Sequence, residues 1–198
     1  MSAPASRPSA FSFLRLFWIA VATVAGCTVL LAVVLPLSCG SIRGSKVLQG
    51  MSNGRQVWAA ARLDDPAHAA YPATMPVATA TAYFTELVRA GSLKESDLRI
   101  LAGPRHPMAQ TVAALSEQNI AFTVYRIGPD DPPQTIFLVS KPGVFAPLDP
   151  GFFSRWFDNQ PERRVVVHKD GSTKAHKVSE PLESLGPLPR AVPPTLLP

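Results

Sequence analysis

The chain has 198 residues, of which 46% are hydrophobic, and a formal net charge of +5. With the first ~40 residues set aside, roughly 155 remain, which is enough for one domain with its own core. Four of the five surplus positive charges lie in residues 1–46, which contain no acidic residue. This charge flanks an apolar stretch, and no basic patch with interleaved aromatic residues accompanies it. The composition therefore argues against nucleic-acid binding.

An uncharged apolar stretch runs from Leu16 to Leu37. About twenty such residues in a helix cross the ~30 Å hydrocarbon core of a bilayer. The sequence therefore predicts a disordered lead over residues 1–15, a transmembrane helix over residues 16–38, and the lipid bilayer as the partner of Leu16 to Leu37. The flanking basic residues balance and leave the orientation open: Arg7 and Arg15 precede the stretch, and Arg43 and Lys46 follow it.

Both cysteines, Cys27 and Cys39, lie in or beside the apolar stretch. The rest of the chain therefore offers no disulfide scaffold, thiolate zinc site or cysteine nucleophile. Cys27 follows the small-residue run Val24-Ala25-Gly26, which is typical of a lipoprotein signal sequence. A signal sequence cleaved before Cys27 is thus the alternative to an uncleaved span.

Apolar or small residues continue at helical spacing after the span, at Val47, Met51, Gly54, Trp58 and Ala61. This spacing predicts an amphipathic helix over residues 47–63, separated from the span by weak points at residues 39–44.

The middle of the chain predicts shorter helices. Thr79 or Thr81 can cap a second helix that Gly91 ends, with Tyr83, Phe84, Leu87 and Val88 on its apolar face. A short turn or helix over residues 92–98 and a third short helix over residues 108–117 follow.

The pattern then changes to four strands, over residues 119–126, 134–140, 163–169 and 172–178. Asp170-Gly171 predicts a hairpin between the last two strands. In the irregular stretch between the second and third strands, Phe152, Phe153, Trp156 and Phe157 are predicted to pack over a sheet edge. Residues 181–198 are rich in proline and predict an extended, weakly ordered tail.

Helices precede strands, so the fold class is predicted to be α+β, with a head over residues 39–180. The amphipathic helix is the element available to cover the apolar face of the antiparallel sheet.

Several runs occur in a shared order: Val33-Val34-Leu35-Pro36-Leu37, Met51-Ser52-Asn53-Gly54-Arg55-Gln56-Val57, Tyr71-Pro72, Tyr83-Phe84-Thr85-Glu86-Leu87-Val88-Arg89-Ala90-Gly91, Glu117-Gln118-Asn119, and Val165-Val166-Val167 before Asp170-Gly171-Ser172. This order resembles the type IV pilin and type II secretion pseudopilin families over roughly residues 30–180. The resemblance implies a transmembrane helix that continues into an amphipathic helix packed on a small antiparallel sheet. The family's Gly-Phe-Thr-Leu-Ile-Glu processing run is absent, and Ile19 stands near the position of its Glu. The resemblance therefore implies a divergent relative that remains a single-pass membrane protein.

Two sets of side chains are candidate ligands or catalytic groups. His168 and His176 flank the Asp170-Gly171 turn and could face each other, and His68 and His106 complete the histidines. Asp64-Asp65 and Asp130-Asp131 could bind calcium through carboxylate and carbonyl oxygens. Neither set has the spacing of a known metal motif, and no nucleophile or phosphate-binding motif occurs. The prediction is no catalytic, cofactor-binding or metal residue.

These observations predict a non-enzymatic, membrane-anchored structural or interaction protein, a bacterial envelope protein by the family resemblance. It would sit in the cytoplasmic membrane with its head in the periplasm. Its partners would be envelope assembly proteins, of a secretion or pilus-like assembly, or a second copy of itself. The alternative is a lipoprotein or secreted binding module released by cleavage before Cys27.

Overall fold

The computed structural model describes residues 10–63, 65, 67–104, 106–144, 162–190 and 195–196. The chain divides into two units, Met1–Ile42 and Arg43–Pro198, and each is described by itself. The fold class is α+β, as the sequence predicts.

Helix α1 (Ala10–Ala60) contributes to both units. It begins inside the predicted lead and runs without interruption through residues 39–44, although the boundary between the two units lies in this predicted separation. An isolated glycine or serine within a helix costs at most about 1 kcal/mol relative to alanine, which does not end a long helix. Considering only the residues described, we find no helix with the length and hydropathy needed to cross a membrane.

In the first unit, large apolar side chains of α1 are exposed: Phe17, Trp18, Ile19, Val21, Val24, Val29 and Leu30. The hydroxyl groups of two threonines turn back to the helix backbone. Thr23 Oγ1 donates to the carbonyl oxygen of Ile19 and Thr28 Oγ1 to that of Val24, both at 2.8 Å. Both hydroxyls therefore have partners within the helix itself.

The second unit contains a four-stranded antiparallel sheet in the order β1-β2-β3-β4: β1 (Phe122–Val124), β2 (Ile136–Ser140), β3 (Arg163–His168) and β4 (Thr173–Lys177). All four predicted strands are confirmed, each within its predicted bounds. At a register shift between Ile136 and Leu138, the consecutive side chains of Phe137 and Leu138 join the same buried cluster, whereas Ile136 and Val139 belong to the cluster on the other face.

The predicted hairpin between β3 and β4 is also confirmed. Gly171 has a φ of +80° and donates its N–H to the carbonyl oxygen of His168 at 3.0 Å. The N–H of His168 donates to the carbonyl oxygen of Ser172 at 2.9 Å. The loop is therefore one residue longer than the two-residue Asp170-Gly171 turn, with glycine at the position that requires a positive φ.

One face of the sheet packs on α1. Val57 and Ala61 share a buried cluster with Phe122, Leu138 and Val167. A β-carbon on Gly54 would lie 2.6 Å from Cγ2 of Val167, so the helix backbone approaches β3 at this glycine. The predicted packing of the amphipathic segment on the sheet is confirmed, although α1 ends at Ala60 and Leu63 lies in the turn that follows.

Helix α2 (Ala80–Arg89) adds Tyr83, Phe84 and Leu87 to the same core. Its first turn is capped by Thr79, whose Oγ1 accepts the N–H of Ala82 at 3.1 Å. At the other end, the N–H groups of Gly91 and Ser92 donate to the carbonyl oxygens of Val88 and Leu87. This is the pattern of a Schellman motif, and Gly91 has the positive φ that it needs, +72°.

The third predicted helix, over residues 108–117, is wrong. The structure has short 3₁₀-helices at Glu95–Leu101, Val112–Ala114 and Glu117–Asn119. Asn119 accounts for part of the difference, because its side chain accepts the N–H of Ser116 at 2.9 Å and donates to the carbonyl oxygen of Pro107 at 2.8 Å. These local bonds compete with a helical turn.

The C-terminal segment covers the other face of the sheet. Leu182 and Leu185 pack against a second cluster, which comprises Tyr125, Ile136, Val139 and Val166. The N–H of Ile136 donates to the carbonyl oxygen of Pro187 at 3.0 Å, and the N–H of Leu196 donates to that of Val124 at 3.0 Å. The described residues of the predicted tail, 181–190 and 195–196, are therefore held on the sheet by packing and hydrogen bonds, which the composition does not predict. The aromatic run over residues 152–157 lies outside the described residues.

Candidate functional site

The four histidines do not form a cluster. His168 pairs around the turn with Ser172, whereas His176 lies opposite Arg164 in the β3–β4 register. Four residues of strand, about 13 Å, separate these two positions, so the two histidines do not face each other. His68 pairs with Asp65 at 2.7 Å on the surface, and His106 follows the 3₁₀-helix Glu95–Leu101.

Each of the strand histidines has a local partner. The ring of buried His168 lies within hydrogen-bonding distance of Ser172 Oγ (3.1 Å) through Nδ1 and of the carbonyl oxygen of Leu185 (3.1 Å) through Nε2. His176 Nδ1 lies 3.1 Å from Glu180 Oε2. His168 thus joins the hairpin to the C-terminal segment, and this structural role explains its burial.

The Asp130-Asp131 turn holds a cation of its own chain. Lys169 Nζ donates to the carbonyl oxygens of Pro129 and Asp131, both at 2.6 Å, and lies 5.3 Å from the centroid of the Tyr71 ring. The buried Asp131 carboxylate accepts the N–H groups of Gly128 (2.7 Å) and Arg190 (3.3 Å).

At this turn, the carbonyl oxygens of Pro129 and Asp131 and the carboxylate of Asp131 are therefore engaged by an ammonium group and two amides. Asp64, in the other candidate pair, lies outside the described residues, while Asp65 is hydrogen-bonded to His68, which lowers its pKa. Within the described ranges, no three His, Cys, Asp or Glu side chains come together as metal ligands would.

The described part of the head has a shallow cavity of about 160 Å³ on the second face of the sheet. Its lining residues are Thr123, Tyr125, Val139, Ser140, Pro142, Arg164, Val178 and Leu182. Strands β1, β2 and β3 supply the polar groups, and the segment after β4 supplies the apolar side.

Among the described residues of this lining, Arg164 is the one charged group. Its Nη2 donates to the carbonyl oxygens of Val178 and Glu180, which ties β3 to the segment after β4. Its Nε is buried and has no hydrogen-bond partner within the described chain. Burial raises the pKa of Tyr125, with the neighbouring Arg164 opposing the effect and Glu183 adding to it.

This cavity could hydrogen-bond a small polar group, but its lining does not contain the parts of an acid–base mechanism. The phenol of Tyr125 stays protonated near neutral pH, and Ser140 Oγ already accepts the N–H of Val165 at 2.9 Å. Among the lining residues that the structure describes, no nucleophile has an adjacent base.

Two cations that organise the head, Arg164 and Lys169, are not identified by the sequence patterns. For Arg164, strand alternation is the available signal, since it places this side chain on the same face as Val166. For Lys169, the carbonyl oxygens that receive its ammonium group come from residues 38 and 40 positions away, and no local pattern reports them.

Comparison of the chain with protein-family models, with curated proteins and with solved structures finds no match.

Proposed function

We propose that this protein is a non-enzymatic, membrane-anchored structural or interaction protein of the bacterial envelope. In this proposal, residues 16–37 form a single span and the rest of the chain forms a pilin-like head. The observation that carries the proposal is helix α1, because one helix contains both the apolar stretch and the face that packs on the sheet.

The exposed apolar surface of α1 supports a lipid environment. Seven large apolar side chains between Phe17 and Leu30 are exposed, whereas soluble proteins rarely expose large contiguous apolar patches. The two threonine hydroxyls in this stretch bond to the helix backbone, which is how a polar group is satisfied in hydrocarbon. Residues 31–37 belong to the proposed span through their sequence, because their side chains are not among those described.

The head supports the pilin-like part of the proposal through its connectivity. The C-terminal part of α1, which belongs to the second unit, packs on an antiparallel meander, and α2 lies between them in the sequence. The runs that resemble the pilin families have local roles here: the Tyr83–Gly91 run forms α2 and its cap, and Asp170-Gly171 forms the hairpin turn. Partners within an envelope assembly, or a second copy of the chain, belong to the same proposal.

The non-enzymatic part is supported by how the ionisable groups are used. Lys169 and Asp131 close a loop, and Glu117 bonds Thr81 and Lys141. These side chains tie elements of the fold together and are not gathered around the cavity.

Membrane fractionation tests the anchor. The full chain should stay with the membrane through alkaline extraction, and a variant without residues 1–38 should be released. Protease added to spheroplasts should then digest a head that lies in the periplasm. Release of the full chain by alkaline treatment would contradict the proposal.

The intact mass of the extracted protein separates the proposal from its alternative. An uncleaved span predicts the mass of the chain with or without Met1. Loss of the first 26 residues together with added acyl mass would favour a lipoprotein attached through Cys27.

A further inference from the structure

Two cations face each other where β3 begins and β4 ends. Arg163 and Lys177 are directly opposite in the antiparallel register, and both are exposed. Like charges at opposed positions of a sheet repel each other and destabilise the pair. An uncompensated pair at this position therefore needs an explanation.

The direction of α1 along β3 brings a third cation to the same end of the head. Gly54 approaches Val167, and Trp58 approaches Gly171, so helix and strand advance together. Arg163 lies four residues before Val167, which is about 13 Å of strand. About 13 Å of helix corresponds to roughly nine residues. Counting back by this number from Gly54 places Lys46 at about the same height along the sheet as Arg163.

In the described part of the head, the neighbouring acids form no ion pair with these cations. Among the described residues, the ion pairs involve none of Lys46, Arg163 and Lys177. The Glu162 carboxylate accepts the N–H of Gly143, and the Glu180 carboxylate lies on His176. We call Lys46, Arg163 and Lys177 the basic edge.

We propose that the basic edge binds the anionic headgroups of phospholipids. The inference rests on the proposed function, because it takes residues 16–37 to lie in the bilayer. Lys46 is nine residues after Leu37 in the sequence, so the connecting chain is too short to carry this edge far from the membrane surface. Headgroup phosphates supply the negative charge that the edge lacks, and each basic residue close to an anionic surface strengthens association by about fivefold.

The test uses the full chain in lipid nanodiscs, either of phosphatidylcholine alone or with about one-third phosphatidylglycerol. Amide hydrogen exchange is measured for residues 163–165 and 175–177 at the basic edge, with residues 168 and 173 near the hairpin as an internal reference. Phosphatidylglycerol should slow exchange at the edge by about fivefold or more, and leave the reference unchanged. About 1 M salt should remove the effect, because it shortens the Debye length to ~3 Å.

A pair of variants separates this edge from general basicity. The double variant Arg163→Gln/Lys177→Gln should lose the lipid effect. Lys174→Gln should keep it, since Lys174 is an exposed cation of the same strand that lies opposite Val166, a residue of the second face. Exchange at the hairpin end checks that each variant is folded.

The outcomes distinguish the two proposals. If the chain enters nanodiscs but the amides of the basic edge exchange at the same rate in both lipids, lipid binding by this edge is contradicted. The proposed membrane anchor is not affected by that result. Lipid binding by the basic edge is also contradicted if Lys174→Gln and the double variant lose the effect of phosphatidylglycerol equally. A chain that fails to enter nanodiscs, as judged by flotation, overturns the anchor and the basic edge together.

Discussion

Trp58 and Gly171 lie in direct contact where α1 meets the β3–β4 hairpin. A β-carbon on Gly171 would fall 2.8 Å from the Trp58 ring, and Trp58 Nε1 donates to the carbonyl oxygen of Lys169 at 2.8 Å. The indole therefore both packs against the turn and bonds to it. This contact fixes the end of α1 on the sheet.

Replacing Trp58 with phenylalanine should keep most of the packing and remove the hydrogen bond. We expect a loss of about 1 kcal/mol in the free energy of unfolding of the head. Pulse proteolysis of the full chain in urea and an uncharged detergent measures this quantity. Trp18→Phe is the matched control, since Trp18 is 63% exposed on the other half of α1, and it should leave the head's unfolding curve unchanged. Equal effects of the two substitutions would contradict the assigned role.

Gly171 and Gly91 form a second matched pair, because both have a positive φ but only one lacks space for a side chain. Gly91→Ala should cost about 1 kcal/mol, the penalty of placing an alanine in the left-handed region. Gly171→Ala should cost at least about 2 kcal/mol, because the added methyl group also displaces the Trp58 ring. The same unfolding assay compares the two variants. A smaller loss of stability in Gly171→Ala than in Gly91→Ala would show that the Trp58 ring can move aside at little cost.

The sequence predicts the elements whose signals are local and fails where the partners are distant. The signals for α2 and the hairpin are local, because helix capping by Thr79 and Gly91 and the turn at Asp170-Gly171 depend on these residues themselves. Both elements could therefore be predicted from the sequence. Proline content in the tail indicates an extended backbone. It does not indicate that the N–H of Leu196 will pair with Val124, which lies 72 residues earlier.

The candidate site shows the same limit. Sequence proximity suggests that His168 and His176 could meet, but the register of β3 and β4 places Ser172 and Arg164 opposite them. The cavity beside Arg164 forms only when residues 178–182 return over the second face of the sheet. Neither the register nor this return leaves a periodic signal in the chain.

The binding of the Lys169 ammonium group by two carbonyl oxygens gives a third prediction. Lys169→Met leaves the carbonyl oxygens of Pro129 and Asp131 without their donor, and we expect a loss of about 2 kcal/mol in the stability of the head. Lys174→Met, at an exposed position, should change it by less than about 0.5 kcal/mol.

Calcium provides an independent check on these contacts of Lys169. Because the ammonium group and two amides already engage the carbonyl oxygens of Pro129 and Asp131 and the carboxylate of Asp131, added calcium should leave the wild-type unfolding curve in place. A calcium-dependent rise in stability would show that this turn binds the ion after all.

Asp170 makes the stability of the hairpin depend on pH. Partial burial acts to raise the pKa of its carboxyl group, but hydrogen bonds with Ser172 outweigh this and lower it below the ordinary value of 3.8. The folded chain therefore binds this proton less readily than the unfolded chain. The stabilisation is fully present above the unfolded pKa of about 3.9 and is lost as the pH falls through the folded value.

Asp170→Asn tests this linkage because the amide oxygen can still accept the N–H of Ser172. The variant should be less stable than the wild type at pH 7, and the difference should shrink as the pH is lowered below about 3.9. Urea unfolding across this range measures it, with Asp130→Asn, an exposed residue of the facing loop, as the control. A difference that does not change with pH would mean that the charge of Asp170 contributes nothing.

The C-terminal segment gives the last prediction, which concerns the strand-like pairing of the tail. Leu196 is 4% exposed, and its N–H bonds to β1, whereas Leu188 is 37% exposed. Leu196→Ala should cost roughly 2–3 kcal/mol through the cavity that it leaves, and Leu188→Ala less than about 1 kcal/mol. A weakly ordered tail would instead make both substitutions nearly silent in the unfolding assay. Since the two leucines lie eight residues apart in one proline-rich segment, a clear difference between them can only come from where the fold holds that segment.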